Sequence, residues 1–148
     1  MKEIIKKIFH PGINTSFESI GLLMVRIIVG AFMLTHGFGK LMMLLGGNTA
    51  MFPDPIGIGA TASLFLIVLA EFLCSIFLIF GVATRLSAIP LLIGMLVAGL
   101  MVHGADPFAS KELSLLYGSV YLMLIITGPG KYSIDQLIFN ALDKKNKI

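Results

Sequence analysis

Apolar residues occur along this chain in four long stretches, with most of the polar residues between them and at the two termini. The stretches cover about residues 20–42, 61–82, 86–104 and 113–128. An α-helix needs about 20 apolar residues to cross the hydrocarbon core of a bilayer, and each stretch is close to that length. None of them alternates apolar and polar residues as the strands of an outer-membrane barrel do. The pattern therefore predicts an all-α membrane protein, a four-transmembrane-helix bundle that forms a single domain over residues 1–148.

Shorter amphipathic stretches lie outside the four spans. Residues 2–9 place isoleucines and Phe9 on one helical face and lysines on the other, and the residues after Ser133 show a similar apolar face. Such helices lie in the plane of the membrane interface. We therefore expect a short interfacial helix at each terminus. Between the first two spans, Pro53 and Pro55 predict a loop.

The composition agrees with a lipid environment. Hydrophobic residues make up 57% of the chain and charged residues 13%, with a mean hydropathy of +0.96 and a net charge of +3. A soluble domain has far more charge. The basic residues lie mainly in flanks and loops, which favours anionic lipid headgroups, and no nucleic acid, as the partner. Cys74 is the single cysteine, which excludes a disulfide within the chain and dithiol chemistry.

Two opposite charges lie deep inside apolar stretches. Arg26 follows Glu18 by about 12 Å of helix, and Glu71 precedes Gly81 by about 15 Å. If Glu18 and Gly81 mark the same membrane surface, the two charges lie at one depth. A lone charge in a bilayer is costly unless it is paired. The sequence therefore predicts a buried ion pair between Arg26 and Glu71.

A second group of polar residues is predicted near the opposite, outer mouth of the bundle: His36, Lys40, His103 and Glu112. One interpretation is that they only link helix ends near water. Another is a pocket for a quinone or a small anion, since apolar walls with a few convergent polar groups suit such a ligand. A metal site made of the two histidines and Glu112 is the third interpretation. It lacks a closely spaced ligand pair, so no metal is predicted.

The distribution of basic residues predicts the orientation. With the N-terminus in the cytoplasm, only Lys40 and Lys111 among the flanking residues face outward. The positive-inside rule therefore places both termini in the cytoplasm. The basic residues on that side would be Lys2, Lys6, Lys7, Arg85, Lys131, Lys144, Lys145 and Lys147.

Several short motifs resemble the DoxX family, in an order that covers nearly the whole chain. They are R-x9-H-G-x-x-K from Arg26 to Lys40, Glu71 followed by G-x-x-T-R at 81–85, His103, and GPGKYSID at 128–135. The resemblance implies a small multi-pass protein of the bacterial inner membrane. It also implies a redox context, because the family takes its name from a subunit of a membrane thiosulfate:quinone oxidoreductase and other relatives are described as partners of redox enzymes.

Two main functional hypotheses follow. In the favoured one, the protein is a membrane subunit or anchor of a redox system, with a protein partner or a second copy of itself, and a quinone is its candidate cofactor. In the alternative, it is a quinone-linked oxidoreductase component in its own right. The sequence shows neither cysteine ligands for an iron–sulfur cluster nor a glycine-rich nucleotide loop. A small-anion transporter is a third hypothesis, disfavoured because no internal repeat is visible.

Overall fold

The computed structural model describes residues 15–145, so the amphipathic segment predicted at 2–9 lies outside the described part. Within residues 15–145 the chain is helical and forms no strand. Its helices are α1 (Ser16–Leu45), α2 (Ala60–Phe80), α3 (Thr84–Val102), α4 (Phe108–Thr127) and α5 (Ile134–Lys145). Each of the first four is long and apolar enough to cross a membrane. The predicted all-α bundle of four transmembrane helices is confirmed.

The helix bounds differ most from the prediction in α1. This helix has 30 residues, several more than the predicted span at each end. At 1.5 Å per residue it is about 45 Å long, whereas the hydrocarbon core of a bilayer is about 30 Å thick. Its two ends therefore extend beyond the hydrocarbon region, and Phe17 and Leu45 are highly exposed.

Helices that follow one another in the chain pack together: α1 with α2, α2 with α3, and α3 with α4. Their inner faces meet in one apolar core, and most large apolar side chains outside it are exposed. An exposed apolar surface around a buried core is the arrangement that lipid requires. The buried core residues are Leu22, Met33, Leu78, Ala88, Leu91, Met95, Tyr117, Tyr121 and Leu124.

Two of the spans change locally from α-helix to π-helix. In α2 the wider turn covers Leu69–Cys74, and in α3 it covers Ala98–Val102. Neither stretch contains a proline, and no feature of the sequence predicts the change. Single π turns inside α-helices occur frequently at functional sites, and the one in α2 contains Glu71.

Close contact between α1 and α2 depends on a glycine. A Cβ added at Gly37 would lie 2.6 Å from the carbonyl carbon of Glu71 and 2.6 Å from the nitrogen of Phe72, both backbone atoms. Only glycine permits such an approach of two backbones. Gly37 therefore lies beside the π turn of α2 and determines which part of α1 lies next to Glu71.

The loop between α1 and α2 is held by one carboxylate. Asp54 accepts hydrogen bonds from the Ser63 hydroxyl at 2.7 Å and from the N–H groups of Gly59 and Ile58 at 2.7 and 3.1 Å. The bonds from Ser63 and Gly59 stabilise the charged form and hold the pKa of Asp54 below its ordinary value. Asp54 thereby ties the loop to the first turn of α2.

Candidate functional site

The first polar group lies at the terminal end of the bundle, where α1 begins and α4 ends. Arg26 is completely buried there. Its Nη1 donates a hydrogen bond to the carbonyl of Pro129 at 2.7 Å, and its Nη2 donates to the carbonyl of Tyr132 at 2.6 Å. Both carbonyls belong to the segment between α4 and α5. Arg26 therefore holds α1 against the segment that follows the last span.

The same segment also caps α3. The carboxylate of Asp135 accepts hydrogen bonds from the N–H groups of Ala83 at 2.6 Å and Thr84 at 2.9 Å, where α3 begins. A negative charge at a helix N-terminus is favourable. Asp135 also attracts Arg26 electrostatically. Next to them Gly81 has φ +68°, and a Cβ there would collide with the Arg26 guanidinium. We call these residues the terminal-end cluster: Arg26, Gly81, Pro129, Tyr132 and Asp135.

The second polar group lies in the half of the bundle nearer the loop that joins α1 and α2. Glu71, in the π turn of α2, is 2% exposed, and its Oε1 forms an ion pair with Nζ of Lys40 from α1. The Lys40 side chain is 29% exposed and so reaches inward from the loop end. The other oxygen, Glu71 Oε2, is buried and has no hydrogen-bond partner among residues 15–145. The ion pair therefore leaves half of the carboxylate unused.

Aromatic side chains extend this group across the bundle. The rings of Tyr117 and Tyr121 on α4 stack with centroids 6.2 Å apart, and His36 of α1 meets Tyr117 edge-on at 6.3 Å. Tyr121 is completely buried, and its hydroxyl has no hydrogen-bond partner in the described part of the chain. It lies within electrostatic range of Glu71. We call these residues the loop-half cluster: His36, Lys40, Glu71, Tyr117 and Tyr121.

Comparison with known protein families assigns the chain to a family. The DoxX family model matches residues 21–104, more than half of the chain. The chain belongs to the DoxX family. The match includes His36, Lys40 and Glu71, but it ends before the two tyrosines of α4.

Two relatives of this DoxX protein align over nearly their whole length. "Inner membrane protein YqjF" of Escherichia coli (strain K12) is 32% identical over 127 residues, which cover 82% of this chain and 94% of the relative. "Putative oxidoreductase CatD" of Bacillus subtilis (strain 168) is 31% identical over 136 residues, which cover 90% and 96%. No solved structure matches the chain. Both relatives are bacterial, and the name of the first places that protein in the inner membrane.

The structure does not bring Arg26 and Glu71 of this DoxX protein together, and each charge has a different partner. The depth comparison failed because Glu18 and Gly81 are not level. Gly81, at the end of α2, lies beside the Arg26 guanidinium, and Glu71 lies beside Gly37. Positions 26 and 37 are separated by roughly 16 Å along α1. Glu71 is therefore too far up the bundle for Arg26, and Lys40 pairs with it instead.

The predicted outer cluster is also divided. His36 and Lys40 belong to the loop-half cluster, whereas His103 pairs through Nδ1 with Asp106 at 2.8 Å in the loop after α3. Glu112 is exposed on α4. No hydrogen bond, ion pair or ring contact joins His103 or Glu112 to His36 or Lys40 in residues 15–145. Over that range no three acidic, histidine or cysteine side chains lie close enough to hold a metal ion.

Reasoning from the sequence missed the two tyrosines. They stand four residues apart in the most polar of the four spans, so they share one face of α4. A pair of tyrosines on one face of a membrane helix is a usable signal, because each hydroxyl needs a partner inside the bundle. No comparable feature of the sequence predicts the π turn around Glu71.

Proposed function

We propose that this DoxX protein is a membrane subunit of a redox system and that its loop-half cluster binds the head group of a quinone. The observation that supports this best is the Glu71 carboxylate, buried in a π turn, with one oxygen paired to Lys40 and the other unpaired. An ionisable residue within a membrane span is a functional-site candidate by default. Of the two buried charges, Glu71 is the stronger candidate, because its partner is a partly exposed side chain, whereas Arg26 is bonded to backbone carbonyls.

The chemistry of the cluster suits a quinone. A quinone head is flat and apolar, with two carbonyl oxygens that accept hydrogen bonds. The Lys40 ammonium, the His36 ring and the Tyr117 hydroxyl are donors, and the His36 and Tyr117 rings meet edge-on. A small anion fits less well, because Glu71 already neutralises the positive charge of Lys40.

An apolar groove gives the quinone tail a place beside this cluster. It has a volume of about 540 Å³ and lies at the loop end between α1 and α2. Leu44, in its wall, stands one helical turn beyond Lys40. The other lining residues are Ile58, Gly59, Ala60, Thr61, Ala62 and Phe65.

The proposed reaction needs a partner. Reduction of a quinone to a quinol takes two electrons and two protons, and the electrons would come from a flavin- or metal-containing protein bound to this subunit. The name of the Bacillus subtilis relative, an oxidoreductase, supports a redox context. The alternative, an oxidoreductase acting in its own right, would need a redox group on this chain. The subunit role is therefore the proposal.

Quinone titration tests the proposal. Protein in lipid nanodiscs free of quinone is titrated with a short-chain benzoquinone and with a short-chain naphthoquinone. His36→Ala and Lys40→Met should each weaken binding by at least about tenfold, the loss expected for one charge-assisted hydrogen bond. His103→Ala and Lys111→Met are matched controls from the same end of the bundle and should bind like the original protein. Equal losses in all four variants, or no binding by any of them, would overturn the proposal.

We also propose that both termini face the cytoplasm of a bacterial inner membrane, as the basic residues predict. In a Cys74→Ala background, a cysteine introduced at Asn48 or Ser110 should react with a membrane-impermeant reagent in intact cells. A cysteine at Asn146 should react only after the membrane is permeabilised. Labelling at 146 in intact cells would reverse the orientation.

A further inference from the structure

Six buried side-chain atoms have no hydrogen-bond partner in residues 15–145. Nε of Arg26, Oγ1 of Thr84 and Oε1 of Gln136 lie at the terminal end, and the other three lie in the middle of the bundle. They are Oε2 of Glu71, Oγ of Ser75 and the hydroxyl oxygen of Tyr121. Glu71 is 2% exposed, and Ser75 and Tyr121 are completely buried. Leaving such a group unpaired is energetically costly. Three of them at one place indicate a molecule that binds all three.

The three atoms belong to one region of the bundle. Ser75 follows Glu71 by one turn of α2, and its carbonyl lies 3.3 Å from where a Cβ of Gly30 would stand. Gly37, two turns along α1 from Gly30, touches the Glu71 backbone. Tyr121 belongs to the apolar core and lies within electrostatic range of Glu71. The Ser75 and Tyr121 side chains therefore each lie near Glu71.

Their donor and acceptor capacities define the ligand. The free carboxylate oxygen requires a donor, while the two hydroxyls can both donate and accept. They form no direct hydrogen bond with one another. Polar groups that lie near each other but beyond bonding distance are commonly bridged by water, and a water molecule makes about three such bonds when buried.

We propose that Glu71, Ser75 and Tyr121 bind an internal water, and that this hydrated site lets Glu71 take up and release a proton within the membrane. Lys40 pairs with the carboxylate form of Glu71. The water can donate a hydrogen bond to the carboxylate and accept one from the carboxylic acid, so it can bond Glu71 in both forms.

The groups that face Glu71 are compatible with this role. Lys40 of α1 pairs with Glu71, and Tyr121 of α4 lies within its electrostatic range. His36 and Tyr117 join the cluster through their ring contacts. Helix α3 has no titratable side chain between Arg85 and His103. Lys40 is thus the nearest charge, and its partial exposure connects the site to the loop end.

The role deepens the proposed function and rests on it. When a bound quinone gains two electrons from the partner protein, its two oxygens each take a proton. The Glu71 carboxylic acid supplies one proton, becomes a carboxylate and pairs with Lys40; bulk water at the loop end supplies the other. Release of the quinol leaves Glu71 to regain its proton from the same water.

Infrared difference spectroscopy on the protein in nanodiscs without quinone tests the inference. A change of pH should produce a carboxylic-acid C=O band that is absent in Glu71→Gln. Tyr121→Phe and Ser75→Ala should move this band to higher frequency, because a weaker hydrogen bond shortens the C=O bond. A water O–H band that shifts in H₂¹⁸O should be lost in Tyr121→Phe. Tyr132→Phe, which removes an exposed hydroxyl, and Ser119→Ala are matched controls that should leave both bands in place.

The two proposals fail separately. If no band depends on Glu71, or if Tyr121→Phe and Ser75→Ala leave the band and the water signal unchanged, the hydrated proton site is overturned. That result would not affect quinone binding, which is measured by titration of His36→Ala and Lys40→Met. Conversely, loss of the quinone result with an intact Glu71 band would leave a proton site without the proposed reaction.

Discussion

The terminal-end cluster and the loop-half cluster place charge inside the same apolar bundle in different ways. At the terminal end, Arg26 donates to two backbone carbonyls and lies near the Asp135 carboxylate, which itself caps α3. In the loop half, Lys40 and Glu71 join side chain to side chain. Both regions keep buried polar atoms without a partner in residues 15–145, such as Nε of Arg26 and Oε2 of Glu71. The first arrangement fastens the backbone of three chain segments. The second is held by side chains alone.

The contrast between the two clusters shows how structural charges differ from functional charges in a membrane span. A buried charge that is bonded to backbone groups cannot move without unfolding the segment that it holds. A buried charge bonded to a long, partly exposed lysine can change its partner by a side-chain rotation. Side-chain exposure separates the two cases: Arg26 is completely buried, whereas Lys40, the partner of Glu71, is 29% exposed.

The largest effect is expected at the terminal end. Arg26→Met removes two charge-assisted hydrogen bonds and leaves Asp135 without its nearby positive charge. Breaking a buried charge arrangement from one side typically costs about 3–5 kcal/mol, so the variant should lose folded yield or melt far below the original protein. Thermal unfolding in detergent measures this. Lys131→Met, which removes a charge from the same segment, is the control and should melt almost normally.

A double variant separates the observed arrangement from a direct Arg26–Glu71 pair. If the two charges were partners, adding Glu71→Leu to Arg26→Met would restore stability. Because they belong to different clusters, the two losses should add. Recovery in the double variant would mean that the terminal-end cluster has been assigned the wrong partners.

A smaller effect is expected at Gly37, where α1 contacts the π turn of α2. Gly37→Ala would press a methyl group against the Glu71 and Phe72 backbones, which cannot rotate away. Overpacking of this kind costs about 1–3 kcal/mol and should separate α1 from the π turn. Gly39→Ala is the matched control, since a Cβ there meets nothing within 4 Å. Similar melting temperatures for the two variants would contradict the close contact.

The sequence predicted the four spans because a bilayer imposes a length and a composition that can be read directly. It also identified the buried charges, Arg26 and Glu71, because each interrupts an apolar run. Their partners could not be predicted, because pairing depends on the register between α1 and α2. Contacts such as that of Gly37 with the π turn set this register. The carbonyls that hold Arg26 have no signature in the side-chain sequence.

The smallest effect concerns Asp54, an exposed charge that belongs to neither cluster. Its pKa is lowered in the folded protein, so its hydrogen bonds stabilise the loop at pH values above the ordinary aspartate range. That stabilisation should be lost as the pH falls through the lowered pKa, below about 4. Hydrogen exchange of the N–H groups of Ile58 and Gly59 measures it. Asp54→Asn should show the faster exchange already at neutral pH, and unchanged exchange would contradict the cap.

One variant, His36→Ala, compares stability with binding. The His36 ring is exposed and meets Tyr117 edge-on, so the melting temperature should change by only a few degrees. The variant loses a hydrogen-bond donor to the quinone, so quinone affinity in nanodiscs should fall by at least about tenfold. If the variant instead melts as early as Arg26→Met, or binds quinone like the original protein, the loop-half cluster is not the functional site.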